Sequence, residues 1–301
     1  MDFRVNGVTI DMGAEDEEGL GLVLARADEF LEREGSVITG LAVDGRPIGP
    51  DDYGSIKDLR VGGVRSVDLA AESSSDYRAK ALGLLVDLIA MAAEAARGEA
   101  SSWEPLRAAT DEFVRTLSGL FSADELSFVQ SFASLVDTAS GEAAAAGGRP
   151  GPETLADFEA RVSGFDLVFR ERLAEIKEPA AEMRRCAELF AAEAEELREL
   201  PVYLQTGKED RAMKAVLLFI EIFNKVIRLI PELRRLGVDT SAIKVEGQEL
   251  PAFYASFNEI LRSLSKALED KDSVLMGDLA EYEVAPRMGA LFASIEKALP
   301  R

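Results

Sequence analysis

Apolar and polar residues alternate on both sides of Asn6-Gly7, a pair that favours a tight β-hairpin because both central residues of a type I′ turn need positive φ. A turn there places Val5 opposite Val8, Phe3 opposite Ile10 and Met1 opposite Met12 on one face. Arg4 opposite Thr9 and Asp2 opposite Asp11 take the other face. The acidic run Glu15–Glu18 suits the positive end of a helix dipole, and the spacing of Leu20, Val23, Leu24, Ala27, Phe30 and Leu31 predicts that helix with one inward face. Gly35 is a natural stop. A strand over 37–43 follows, then a tight turn at Asp44-Gly45 and a short return at Arg46-Pro47-Ile48, held to an edge by the proline. One helical turn over 56–59 and a last strand over 64–70 complete the pattern.

Past Ser73-Ser74-Ser75, read as a linker over 73–76, everything carries the helical period. Helices are predicted from Asp76 to Arg97, from Trp103 to about Ser118, and to about Ala139 from a capping box at Ser122–Glu125. Gly141–Gly151, with Gly147-Gly148 and Pro150, reads as an internal loop and a possible point of subdivision. A helix opens at Pro152 and is broken or kinked at Pro179; its pattern resumes to about Leu204. Thr206 and Glu209 have capping-box spacing ahead of the most apolar helix in the chain. That helix carries two adjacent stripes: Val216, Ile220, Phe223, Ile227 and Ile230, and Phe219, Ile222, Val226, Leu229 and Leu233. Two stripes imply more than one neighbour, so this helix is either central to a bundle or an oligomer interface. Phe219, Ile222, Phe223 and Val226 are the residues expected to carry that packing. Pro231 ends or kinks it near Leu236-Gly237, Asp239-Thr240-Ser241 caps a turn, and Pro251 opens a helix to about Leu268. The last helix runs from about Ser273 to Leu299 with Asp272 as cap and a kink at Pro286. Gly277 inside it costs about 1 kcal/mol relative to Ala. It points to close helix packing, against the central helix, or to an opening for a small ligand.

The order hairpin, helix, strand, turn, short strand, short helix, strand resembles ubiquitin-like β-grasp domains, and Leu41-Ala42-Val43-Asp44-Gly45-Arg46-Pro47-Ile48 looks like their strand-turn-strand. The expected fold class is α+β: a β-grasp domain over 1–72, then an all-α multi-helix bundle over 77–301. A conjugated modifier ends in a free Gly-Gly tail, whereas this segment leads into helices. The resemblance therefore implies a docking module rather than a protein tag. Leu204-Gln205-Thr206-Gly207-Lys208 with Ala212-Met213, and the block from Asp272 to Pro286, resemble an uncharacterised family of bacterial helical proteins. No activity follows from that likeness.

Charge narrows the partners. Asp and Glu total 55 against 34 Lys and Arg, a formal net charge of -21. Such a chain is repelled by phosphate backbones and anionic headgroups, so neither nucleic acid nor a membrane is an expected partner. Residues 1–75 alone hold 16 acids and 7 bases, so a basic protein would meet the chain there. MDFRVNG has neither the basic nor the apolar region of a signal peptide. With the single cysteine, Cys186, read as a buried thiol, this sets the expectation of a cytoplasmic protein.

The chain has no histidine, which excludes Ser-His-Asp and Cys-His nucleophiles, histidine bases and His-containing metal sites. Gly207-Lys208 does not make a phosphate-binding loop: Val202 stands where its first Gly belongs, and Glu209 where Ser or Thr must follow the Lys. Carboxylates are what is left for chemistry. Asp278, Glu281 and Tyr282 share a helix face, and Glu196/Glu199 and Glu269/Asp272 have the spacing of the Mg²⁺-binding pairs of all-helical nucleotide pyrophosphatases. Among so many carboxylates such pairs also arise by chance on solvated faces. The leading expectation is a non-enzymatic scaffold or adaptor without cofactor that binds a protein partner, with homo-oligomerisation through the helical region open. The alternative is a Mg²⁺-dependent hydrolase of a phosphorylated small molecule, with Asp278 and Glu281 on the metal. An acidic decoy for a nucleic-acid-binding protein ranks last.

Overall fold

The computed structural model describes residues 1–49, 52–98 and 103–300. It is α+β: a mixed five-stranded sheet with a helix, then a largely helical region. Contacts divide the chain into two compact units, Met1–Leu173 and Ala174–Arg301.

In the first unit, β1 (Asp2–Val5) and β2 (Val8–Thr9) form the hairpin with Arg4 opposite Thr9 and Val5 opposite Val8, as the Asn6-Gly7 register requires. Asn6 and Gly7 both take positive φ. Helix α1 (Leu20–Arg33) is followed by β3 (Ser36–Val43), β4 (Arg46–Pro47), the short helix α2 (Tyr53–Ile56) and β5 (Ser66–Ser73). The strand order is β2-β1-β5-β3-β4, with β1 and β5 parallel and β3 antiparallel to β5. Phe3, Val43, Val67 and Leu69 meet Leu20, Val23, Leu24, Ala27 and Leu31 of α1 in one core, with Ile56 and Val61 closing its side.

Several local expectations fail here. The helical turn read over 56–59 lies earlier, at Tyr53–Ile56, because the carbonyls of Lys57 and Leu59 accept from Gly21 and Leu20 at the start of α1. Phe30 is exposed, because Leu31 takes the inward position at that level. The acidic run lies before α1 instead of inside it: Gly19 is the N-cap, and Glu18 turns back to accept a hydrogen bond from Arg26 at 2.9 Å. The serine run is not a free tether. Ser73 ends β5 and caps the next helix, whose first residue, Ser74, donates its backbone N–H to Gly35 O at 2.9 Å.

Helices α3 (Ser74–Arg97), α4 (Trp103–Leu117), α5 (Ala123–Ala145) and α6 (Pro152–Lys177) follow. Trp103 packs edge-on to Phe158 at 5.0 Å, and Phe132 to Phe165 at 5.7 Å. The Ser122–Glu125 capping box forms as read, and the Glu125 carboxylate also pairs with Arg78 and, at 3.7 Å, with Arg172. The loop expected over 141–151 is shorter: α5 continues to Ala145, since its run of small helix formers favours another turn, and only Gly147 and Gly148 take positive φ.

The second unit holds α7 (Pro179–Arg198), α8 (Leu200–Gln205), α9 (Glu209–Arg235), α10 (Leu250–Glu269), α11 (Ser273–Asp278) and α12 (Ala285–Glu296). Pro179 starts a new helix rather than kinking the old one. The expected Thr206 cap is absent. Thr206 is the C-cap of α8, its hydroxyl donates to Val202 O at 2.6 Å, and Lys208 is the N-cap of α9. Thr206 is thus taken up in ending one helix, and it stands two residues ahead of the position from which it could cap the next. The region is also not wholly helical. β6 (Lys244–Val245) and β7 (Gln248–Glu249) form a hairpin over Glu246-Gly247, both at positive φ, anchored by buried Val245. Before Pro286 the helix widens into a π turn, Leu279–Val284, which accommodates a proline with no N–H to offer the Tyr282 carbonyl. Among the described residues no helix is long and apolar enough to cross a membrane.

Candidate interaction surfaces

α9 is the axis of the second unit. Phe219, Ile222, Phe223 and Val226 are all buried in its core, with Leu229 and Leu233 continuing the same stripe. The rings of Phe223 and Phe257 lie 5.2 Å apart, and those of Phe253 and Phe257 5.5 Å apart. The Arg287 guanidinium sits 5.2 Å over Phe253, donates to Ser256 Oγ at 2.8 Å and lies 3.2 Å from Glu246. Its charge is thus held against π faces instead of water. Tyr254 packs on Phe223 with its hydroxyl buried and unpaired, and burial pushes its phenol up to about 12.

One flank of α9, between this core and its open side, is held by partly buried ion pairs. Lys225 Nζ lies 2.8 Å from Glu182, and Arg228 donates twice to Glu175, at 2.9 and 2.8 Å. Arg235 donates to Ile176 O at 2.8 Å. The helical period carries no signal for these pairs, because the carboxylates come from helices earlier in the chain.

Two positions of the first stripe lie outside this core. Ile220 is 44% and Ile227 43% exposed, and with Met213 at 43% and Leu217 at 51% they form an apolar stripe on the open side of α9. The missed signal was the spacing of Met213, Leu217, Ile220, Asn224 and Ile227, alternating four and three residues, which a straight helix presents as one line.

The two sequence blocks singled out around Leu204–Met213 and Asp272–Pro286 meet in space. Gly277 faces Pro201 of α8, not α9: a Cβ there would fall far inside contact with Pro201 Cγ and lie 3.2 Å from its Cβ. Beside this contact opens a cavity of about 310 Å³ with walls from Leu204, Ala212, Met213, Val216, Leu268 and Met276. Glu209, Lys271 and Ser273 reach its edge. The close packing read from Gly277 and the opening read as its alternative thus lie next to each other.

Residues 1–73 match the family model described as the TP0873 N-terminal domain, and residues 182–292 match a domain of unknown function, DUF8042. No curated protein and no solved structure matches the chain. The first match ends on the last residue of β5. The DUF8042 segment holds the aromatic cluster, the cavity and the Gly277–Pro201 contact.

Of the carboxylates weighed for metal binding, Glu196 and Asp272 are engaged within the fold. Asp278 ends α11, while Glu281 and Tyr282 fall in the π turn. The Glu281 charge raises the Tyr282 phenol and shares a hydrogen bond with it. Glu196 accepts from Arg211 at 2.9 and 2.6 Å and from Tyr203 at 2.9 Å, which holds its carboxyl below the usual range. Asp272 caps α11 through Leu275 N–H at 3.0 Å. Among the described residues no three Asp, Glu or Cys side chains gather closely enough to hold a metal ion.

In the first unit, a groove of about 470 Å³ runs between α3 and α4. Leu84, Leu88 and Met91 line one side, Ala109, Phe113 and Leu117 the other, and Asp87 and Glu112 stand on its rims. Leu84 and Met91 are exposed.

Proposed function

We propose that this chain is a non-enzymatic adaptor or scaffold of the cytoplasm that binds a basic helical segment of another protein. The observation that carries the reading is the α3–α4 groove. Its floor is apolar over both helices, with Leu84, Leu88 and Met91 at i, i+4, i+7 along α3 and Ala109, Phe113 and Leu117 at i, i+4, i+8 along α4, and each helix adds one carboxylate, Asp87 and Glu112. An amphipathic helix that lays Leu-type residues into the groove leaves its flanks over Asp87 and Glu112, where Lys or Arg is favoured and Glu disfavoured. The dense acidity of residues 1–75 in the same compact unit adds long-range attraction for that partner.

The test is fluorescence anisotropy with two labelled helical peptides, one of Leu and Lys and one of Leu and Glu with the same apolar spacing. The Lys peptide is expected to bind the full chain, with affinity falling at least tenfold in Leu84→Asp/Met91→Asp and unchanged in Leu167→Asp, an exposed position on α6. Equal binding to wild type and to the groove variant would mean that net charge alone attracts the peptide, and the groove would lose its role.

A further inference from the structure

We propose that a second copy of this chain packs on the open face of α9, antiparallel and across a twofold axis. This stands on observations separate from the α3–α4 groove. The stripe of Met213, Leu217, Ile220, Asn224 and Ile227 keeps the four-three alternation of a helix seam and leaves four large apolar side chains 43 to 51% exposed. At 1.5 Å per residue it is about 21 Å long. Asn224 is a polar residue within the seam, the kind that sets register between helices.

The two flanks of the stripe differ, and the difference selects the orientation. On one flank stand Lys214 and Glu221, seven residues apart, exposed, and without an ion-pair partner among the described residues. On the other flank Val216 leads into the 310 Å³ apolar cavity, which Met213 shares with the stripe. A twofold axis perpendicular to the helix brings like flanks together, whereas a parallel pair would set the charged flank against the partner's apolar one. Antiparallel pairing lets Lys214 meet the partner's Glu221 while Glu221 meets the partner's Lys214.

That charge match fixes the register. Leu217 then lies beside the partner's Ile220 at the axis, and Ile220 beside the partner's Leu217. The partner's Ile227 arrives at the level of Asp210, on the flank where the cavity opens, so the outermost apolar residue of each stripe has a receiving site. Sliding one heptad along moves the axis toward Asn224, sets Lys214 against the partner's Arg228 and brings the two Glu221 residues together. One register therefore accounts for the apolar line, the unpaired charges and the cavity.

Sedimentation velocity of the full chain over a wide concentration series, at physiological ionic strength, tests this; the -21 net charge of each copy is then screened beyond about 8 Å. A reversible dimer is expected. Lys214→Glu and Glu221→Lys each weaken it about tenfold or more, since each spoils two symmetric contacts, and the double exchange Lys214→Glu/Glu221→Lys restores it. Cross-linking gives a second readout. Cys186 is buried, so Leu217→Cys reports alone and is expected to cross-link to itself near the axis, while Met213→Cys is not. A chain that stays monomeric at every concentration, or a dimer indifferent to the charge exchange, would overturn the proposal. Self-cross-linking at Met213→Cys would make the pair parallel and overturn it too. None of these variants touches α3 or α4, so failure here leaves peptide binding at the groove intact.

Discussion

Gly277→Ala and Gly289→Ala are the same substitution in neighbouring helices and should have opposite signs. In an exposed helix interior, Ala in place of Gly stabilises by about 0.5–1 kcal/mol, because Gly loses more backbone freedom on folding. At Gly289, exposed in α12, a Cβ meets nothing within 4 Å, so that gain should appear undiminished. At Gly277 the same methyl falls inside Pro201 Cγ and lies 3.2 and 3.4 Å from the ring's Cβ and Cδ. A proline ring cannot rotate aside, so α11 or α8 must move. Overpacking of this kind costs about 1–3 kcal/mol, and net of the propensity gain Gly277→Ala should destabilise by about 1–2 kcal/mol. Urea unfolding followed by circular dichroism measures both midpoints. Pro201→Ala removes the offending ring atoms, so Gly277→Ala should cost at least 1 kcal/mol less in that background. If Gly277→Ala raised the midpoint as Gly289→Ala does, the close approach of α11 to α8 would be wrong.

Arg228→Ala should cost about 3–5 kcal/mol by removing both hydrogen bonds from buried Glu175, while Arg228→Met/Glu175→Leu should cost much less; calorimetric melting temperatures separate the two. Burial alone would raise the Glu125 carboxyl, but Arg78 and the Ser122 hydrogen bonds outweigh it and lower it. Its stabilisation is therefore complete above the unfolded value near 4.5 and lost as pH falls through the lower folded value. Glu125→Gln should flatten the acid limb of a pH–stability curve, and an unchanged limb would refute the assignment. Tyr254→Phe should stabilise by about 1 kcal/mol, because the hydroxyl it removes is buried without a partner and its lost hydration is uncompensated. With its folded phenol at about 12, Tyr254 contributes stability that is lost as pH rises from 10 toward 12. Stability of the Phe variant should fall less over that range, as read by urea midpoints at each pH.

The sheet domain was legible in the sequence because its signals are local. Asn6-Gly7 determined a turn, the turn determined a register, and the register put Phe3 inward against α1. The Ser122–Glu125 box and Asp272 cap were readable for the same reason: a cap involves residues three apart. Thr206 had the same spacing and failed, since it closes α8 and the next helix begins two residues later, from Lys208.

The helical region shows the limit. Hydrophobic period singled out α9 by its two apolar stripes, and Phe219, Ile222 and Val226 of one stripe lie in a core, although α9 as a whole is less apolar than α5, α10 or α12. It could not say how much of the circumference that core would cover. Ile220 and Ile227 share a stripe with buried Val216, Phe223 and Ile230 and yet lie outward, because the neighbouring helices reach only part of the way round. Gly277 announced a close approach; only the fold decided that Pro201 makes it. The sequence by itself determined the turns, the caps and which faces are apolar, since those depend on residues within about one helical turn. Tertiary structure decided which apolar faces stay open, which carboxylates Arg78, Arg211 and Arg228 occupy, and where a groove and a cavity remain, since those depend on residues far apart in the chain.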